Sequence, residues 1–329
     1  MRLRVLSAKD VRAALPMPDA IGAMKDAYRQ FSSGQADVPL RSRVDVPEVG
    51  GASLFMPAFL HESRDLAVKA VSVFPHNPEI GLPTIHAVVI IFDARTGAPA
   101  ALIEGATLTA LRTGAASGAA TDLLARTNSS VLAVFGSGAQ ARTQIEAVCT
   151  VRPIREVRIF SLDAEGARRL TADLEGRTAS GARLLLASSP EGAVAQADVI
   201  CTATTSSTPV FPDAALAQGV HINAIGAFTP EMQEIEPATV ARARIFVDSR
   251  RAALAEAGDL IQPIRRGLIT EDSIFAELGE VVAGTRPGRS GREQITLFKS
   301  VGLAVQDAVA AGAILRRAEA EGLGRVIEL

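Results

Sequence analysis

Three features of this sequence have residue types and spacing that could do chemistry. The first is the string Gly136-Ser137-Gly138-Ala139-Gln140-Ala141, placed directly after the apolar run Val131–Phe135 and ahead of a helical pattern. There Gly136 permits a tight turn, Gly138 lets the backbone approach a pyrophosphate, and Ala141 keeps the helix close to a sheet. The exposed N–H groups and the helix dipole then attract phosphate. The string alone is a weak signal, shared with methyltransferases, and its position between strand and helix is what points to a dinucleotide. The second feature is Lys69 inside Leu66-Ala67-Val68-Lys69-Ala70-Val71, where a cation in an apolar strand is costly without a partner. The third is Arg112, a lone guanidinium in the Ala- and Gly-rich stretch Thr107 to Ala125.

About twenty residues beyond a dinucleotide turn, an acid often binds the ribose 2′-hydroxyl. Here Ser161 stands at the end of the second strand, and Asp163 two residues later reads equally as that acid or as a turn residue. Without an acid at the strand end a 2′-phosphate is less repelled, so NADP, NAD or both are open. His86 and His221 read as structural histidines rather than proton donors, Glu104 as a turn residue, and Cys149 and Cys201 as small core residues. No metal site is expected.

Two textures of sequence must position these groups. From Val38 to Ala106, short β-rich runs alternate with turn signals such as Gly81-Leu82-Pro83 and Arg95-Thr96-Gly97, which predicts a mainly antiparallel sheet entered through a helix near Asp19–Phe31. From Val131, strands at Val131–Phe135, Val157–Phe160, Arg183–Ala187, Asp198–Thr202, His221–Ala224 and Ile245–Val247 alternate with helices, predicting a parallel sheet covered on both faces. The fold class is therefore α/β, a doubly wound Rossmann-type domain plus an α+β domain. Thr107 to Ala125 should form a bridging helix, and Leu297–Leu323 a last apolar helix returning to the first domain. The domains are expected at 1–118 with 303–329, for substrate and dimerisation, and at 119–302, for the dinucleotide.

Lys plus Arg total 34 against 36 Asp plus Glu, a net charge of -2, so no basic field exists to gather nucleic acid or anionic lipid. The chain starts without a signal-peptide pattern and has two cysteines, and the expected home is the cytoplasm. No membrane partner is expected.

Several strings in order are similar to the ornithine cyclodeaminase/μ-crystallin family: Lys69 in its strand, Pro75-His76-Asn77, Gly81-Leu82-Pro83-Thr84, Leu108-Thr109-Ala110-Leu111-Arg112-Thr113-Gly114, the glycine turn, Gly219 through Gly226, and Leu297 through Gly302. The resemblance implies a homodimer binding a small amino or imino acid and NAD(P)H. It implies that Arg41, Lys69 and Arg112 surround the substrate carboxylate, with Asn77, Phe228 and Val301 also on the substrate side. The implied cofactor residues are Thr84, Arg112, Thr113, Gly136, Ser137, Gly138, Ala139, Gln140, Ser161, Asp163, Thr202, Ala203, Thr204, Asn223, Ala224, Ile225 and Ser300. The chemistry agrees, since arginine forks bind carboxylates bidentately.

The sequence departs from the cyclodeaminases where they carry an aspartate after the Asn-Ala-x-Gly string, for Phe228 stands there, and Leu54 matches a position where they offer a glutamate. An aromatic ring neither takes a proton nor holds a hydrolytic water. The expected activity is reduction of a ready-made cyclic imine, Δ1-pyrroline-2-carboxylate to L-proline or Δ1-piperideine-2-carboxylate to L-pipecolate. Thr229-Pro230-Glu231-Met232 resembles that reductase branch. The alternatives are an ornithine or lysine cyclodeaminase, an amino-acid dehydrogenase, or a μ-crystallin-like nucleotide binder with little turnover. Lys69 and Arg112 are the expected catalytic residues.

Overall fold

The computed structural model describes residues 2–329, which form two compact units, one running to Arg112 and resuming at Leu303, the other Thr113–Gly302. In chain order the first unit contains β1 (Arg2–Leu6), α1 (Ala8–Ala14), α2 (Met17–Ser32), β2 (Ala36–Asp37), β3 (Ser42–Val46), β4 (Gly51–Leu60), β5 (Asp65–Val73), β6 (Ile85–Asp93) and β7 (Pro99–Glu104). Helix α3 (Gly105–Leu124) contains the division. The second unit follows with β8 (Val131–Phe135), α4 (Ala139–Val151), β9 (Glu156–Phe160), α5 (Ala164–Leu174), β10 (Arg183–Leu186), α6 (Pro190–Val194), β11 (Val199–Thr202) and β12 (His221–Ala224). It is completed by α7 (Pro237–Arg242), β13 (Arg244–Val247), α8 (Arg250–Glu256), α9 (Gly258–Arg265), β14 (Ile274–Glu277), α10 (Leu278–Val282) and β15 (Thr296–Lys299). The chain then returns to the first unit as α11 (Ala304–Glu321) and β16 (Arg325–Glu328).

The first sheet runs β16-β1-β7-β6-β5-β4-β2, with β3 also on β4, and is antiparallel except where β1 meets β7. Alternation along its strands sorts the side chains. Met56, Lys69 and Val89 are in register and buried, as are Ala58, Ala67 and Ile91, on the face that carries α11. The opposite face presents the rows Phe55-Ala70-Val88, Pro57-Val68-Ile90 and Phe59-Leu66-Phe92, apolar throughout.

The second sheet is parallel throughout, in the order β10-β9-β8-β11-β12-β15-β13-β14. Leu132 and Val134 enter one core cluster while Ala133 and Phe135 enter another, so both faces of the sheet are buried, as near-continuous apolar strands require.

One expectation is corrected. Leu297–Leu323 is not one helix, because Thr296–Lys299 pairs between β12 and β13 as a central strand. Gly302, at φ +84, then breaks the chain before α11. A short apolar run reads equally as strand or buried helix until pairing decides. Strand β14 was not anticipated. The two compact units divide at Arg112/Thr113, and from there α3 packs on α4. A Cβ on Gly114 would lie 2.5 Å from the Thr143 carbonyl oxygen, and Gln144 donates to the Thr113 carbonyl. Among the described residues no helix is long and apolar enough to cross a membrane.

Candidate active site

In the second unit, β8 ends in a turn that only glycine can make. Gly136 has φ +107, and a Cβ there would meet the Ala203 carbonyl oxygen at 2.5 Å. Gly138 caps α4 with no side-chain hydrogen bond and has open space where a Cβ would stand, leaving the N–H groups of the first turn uncapped. Gln140 Oε1 nearby is buried without a partner. A cavity of about 520 Å³ beside this turn is lined by Gly136, Ser137, Ser161, Ala203 and Thr204. An adjoining depression is bordered by Ser137, Gly138, Ala139 and Asp163. A phosphate-bearing dinucleotide fits these groups, for backbone donors, a Cβ-free approach and a helix N-terminus converge there.

Ser137 Oγ and Ser161 Oγ lie 3.0 Å apart at the strand end. Asp163 Oδ1 accepts from Gly166 N at 2.8 Å and caps α5. Leu162, Pro190, Thr205, Pro209 and Val210 also line the cavity, and sequence reasoning did not single them out.

Other expected cofactor residues lie buried in the same unit. Asn223 is fully buried, donates to Thr121 Oγ1 at 3.0 Å and meets His221 Nε2 at 3.1 Å through its amide oxygen. Thr202 Oγ1 donates to Glu234, Ser300 Oγ donates to Asp248 Oδ2 at 2.8 Å, and Thr113 is buried in α3. Val301 N and Gly302 N join Ser300 on the same Asp248 oxygen, which pins the turn after β15. The side chains of Asn223, Thr202 and Ser300 are thus held by protein partners, which fixes the ends of β11, β12 and β15. Ala224 accepts from Lys299 Nζ and Ser300 N through its carbonyl, and Ile225 follows it at the end of β12.

Glu234, which the sequence did not flag, ties together the loops after β11 and β12. It is fully buried and accepts from Thr202 Oγ1 (2.8 Å), Thr204 N (2.7 Å), Thr204 Oγ1 (2.8 Å), Gly226 N (2.6 Å) and Ala227 N (3.1 Å). Asp259 Oδ1 accepts from Glu234 N and Ile235 N, and its other oxygen pairs with the fully buried Lys299 at 3.0 Å. Burial, and then the neighbouring Asp259, push the Glu234 carboxyl above its ordinary range. Lys299 carried the same signal as Lys69, a cation inside an apolar strand. Phe228, on the loop that Glu234 holds, is 44% exposed.

In the first unit the candidate cations surround an acid that the sequence reading missed. Lys69 Nζ lies 2.7 Å from Asp307 Oδ2, a close ion pair without hydrogen-bond alignment, and Arg112 Nε donates to Asp307 Oδ1 at 3.1 Å. Arg112 Nη1 donates to Gln306 Oε1 at 3.2 Å, and Gln306 Nε2 donates to the Tyr28 hydroxyl at 2.8 Å. All five residues are buried. The expected pair of carboxylate ligands, Lys69 and Arg112, therefore already shares an internal carboxylate, with one positive charge in excess. Burial lowers the Lys69 pKa to about 8; Asp307 opposes the shift, while Arg112 and Arg41 add to it. The signal for Asp307 was a lone acid in the apolar run Leu303 through Leu315.

Arg41, half-buried ahead of β3, is near enough to act on Lys69 electrostatically. Asn77 Nδ2 donates to the Pro83 carbonyl and holds the loop, and the Thr84 carbonyl accepts from Phe74 N. His86 is exposed, and burial drops the His221 pKa to about 3, so His221 stays neutral. Among the described residues no group of His, Cys, Asp and Glu is arranged to hold a metal.

The family model described as ornithine cyclodeaminase/mu-crystallin family matches residues 1–322. A Δ1-pyrroline-2-carboxylate reductase of Bacillus cereus is 39% identical over 325 residues, covering 98% of this chain and 99% of the relative. The solved structure of a Thermococcus litoralis Δ1-pyrroline-2-carboxylate reductase in complex with NADH and L-proline superposes with a TM-score of 0.94 at 38% identity, covering 98% and 99% of the two chains. An archaeal alanine dehydrogenase dimer with bound NAD superposes with a TM-score of 0.92 at 34% identity, covering 100% of both.

Proposed function

This chain belongs to the ornithine cyclodeaminase/mu-crystallin family, and from that premise we propose that it is an NAD(P)H-dependent reductase of cyclic imino acids, converting Δ1-pyrroline-2-carboxylate to L-proline. The observation that carries this reading is the loop after β12. Its Phe228 offers no proton-accepting group, Glu231 points into solvent, and Glu234 is consumed by backbone and hydroxyl donors. A deaminating enzyme needs an acid to manage water and ammonia, whereas a ready-made imine does not.

The nicotinamide cofactor supplies a hydride when bound. Gly136, Ser137, Gly138 and Ala139 would hold its phosphates. Arg112 and Arg41 would fix the substrate carboxylate, which orients the imine carbon, and Lys69 would give the proton that the imine nitrogen requires. The six-membered imine, Δ1-piperideine-2-carboxylate, presents the same carboxylate and nitrogen and is expected to serve as well. With Ser161 at the end of β9 and Asp163 engaged as a cap, a 2′-phosphate meets no carboxylate at the strand end, so both coenzymes are expected to work. The three successive apolar rows on the outer face of β4, β5 and β6 support a homodimer joined through the first unit.

The test is a panel of Δ1-pyrroline-2-carboxylate, Δ1-piperideine-2-carboxylate, pyruvate with ammonia, and ornithine, each with both coenzymes. Coenzyme oxidation with stoichiometric L-proline is the expected result. Ammonia release from ornithine with NAD, without imine reduction, would overturn it.

A further inference from the structure

Asp307 sits on α11 at 2% exposure, facing a lysine from β5 and an arginine from α3. Its carboxylate is held in place, because Arg112 Nε fixes one oxygen while Gln306 fixes Arg112 Nη1. Gln306 is itself fixed by Leu303 N at 2.7 Å and by the Tyr28 hydroxyl. The chain Tyr28–Gln306–Arg112–Asp307–Lys69 thus runs from α2 through α11 and α3 to β5 wholly inside one unit. Nothing in the assigned chemistry of the site uses this acid.

We propose that Asp307 is a positioning residue for the reduction, holding the Lys69 ammonium in place and charged so that Lys69 donates the proton taken up by the imine nitrogen. This rests on the reductase reading above. Lys69 is faced by Asp307 from α11, Arg112 from α3 and Arg41 from the segment before β3. Its register partners on β4 and β6, Met56 and Val89, carry no charge. Burial and both arginines favour loss of its proton, and Asp307 is the one counterweight in that set. The result is an ammonium with a pKa of about 8, mostly charged at neutral pH yet near the value at which proton donation is efficient.

The step balances. A Lys69 N–H bond breaks and its proton goes to the imine nitrogen, giving a protonated C=N. The hydride adds to the ring carbon, the C=N π pair moves onto nitrogen, and a neutral secondary amine results. The substrate carbon is reduced, the coenzyme is oxidised, and Lys69 regains a proton from solvent.

The experiment compares wild type with Asp307→Asn in two ways. The first is the pH profile of kcat/KM for Δ1-pyrroline-2-carboxylate at saturating coenzyme. The second is the titration of the Lys69 ammonium by lysine-specific NMR without substrate, assigned with Lys69→Arg. Removing the counterweight should move both the alkaline limb and the NMR midpoint down by about one pH unit or more, with coenzyme affinity unchanged. Unmoved limb and midpoint in a folded Asp307→Asn would overturn the proposal. Should that variant not fold, Asp307→Glu keeps the charge but displaces it. Its alkaline limb should stay within about half a unit while kcat falls about tenfold, and an unchanged kcat would overturn the proposal. A wild type that reduces no cyclic imine at any pH would sink the reductase reading instead, and the NMR midpoints would still decide the role of Asp307.

Discussion

Two residues show how single positions are constrained. Gly136 is fixed by its φ of +107 and by the Ala203 carbonyl 2.5 Å from where a Cβ would be. Gly136→Ala should weaken NADH binding at least about tenfold, roughly 1.4 kcal/mol, as read by fluorescence titration; an unaltered affinity would refute that fit. Lys69 is constrained by charge. Its folded pKa, about 8, lies below the ordinary 10.5, so between those values the folded chain binds fewer protons than the unfolded one. Stability contributed by this group therefore rises as pH rises through that window and is lowest below about 8. Measured against Lys69→Met in urea, wild type should gain stability from pH 8 towards 10, and a flat difference would argue against a lowered Lys69 pKa in the folded chain.

At the scale of elements, Glu234 makes two otherwise separate loops into one unit. Its carboxylate accepts from donors after β11 and after β12, and Asp259 and Lys299 hold its backbone and the end of β15. Glu234→Gln would turn one acceptor into a donor facing N–H groups. The expected cost is about 2–4 kcal/mol of unfolding free energy, measured by urea denaturation, with a weaker coenzyme affinity. A loss below about 0.5 kcal/mol would mean that the loops hold without it.

At the scale of the whole molecule, the three outer rows through Phe55, Val88 and their neighbours form an apolar patch on one sheet face, with Phe55 42% and Val88 40% exposed. Patches of this kind usually mark an interface. Phe55→Asp combined with Val88→Glu should convert a dimer to a monomer in sedimentation velocity at micromolar concentration, with the circular dichroism of the fold retained. A wild type that sediments as a monomer under those conditions would remove the proposed assembly.

The glycine turn, the alternation of strands with helices and the costly Lys69 were legible in the sequence because each depends on neighbours within a few positions: a backbone angle, a hydrophobic period, a charge in an apolar run. The same local logic misjudged Leu297–Lys299, whose strand character exists only through pairing with β12 and β13. Nor could it show that a carboxylate of the chain itself lies between Lys69 and Arg112. Arg112 and Asp307 are 195 positions apart, and Lys69 meets the same acid from a third element. Which charges neutralise one another in a low-dielectric interior is set by folding elements together, so periodicity reveals that a buried lysine needs a partner and only the packed structure decides which carboxylate it has.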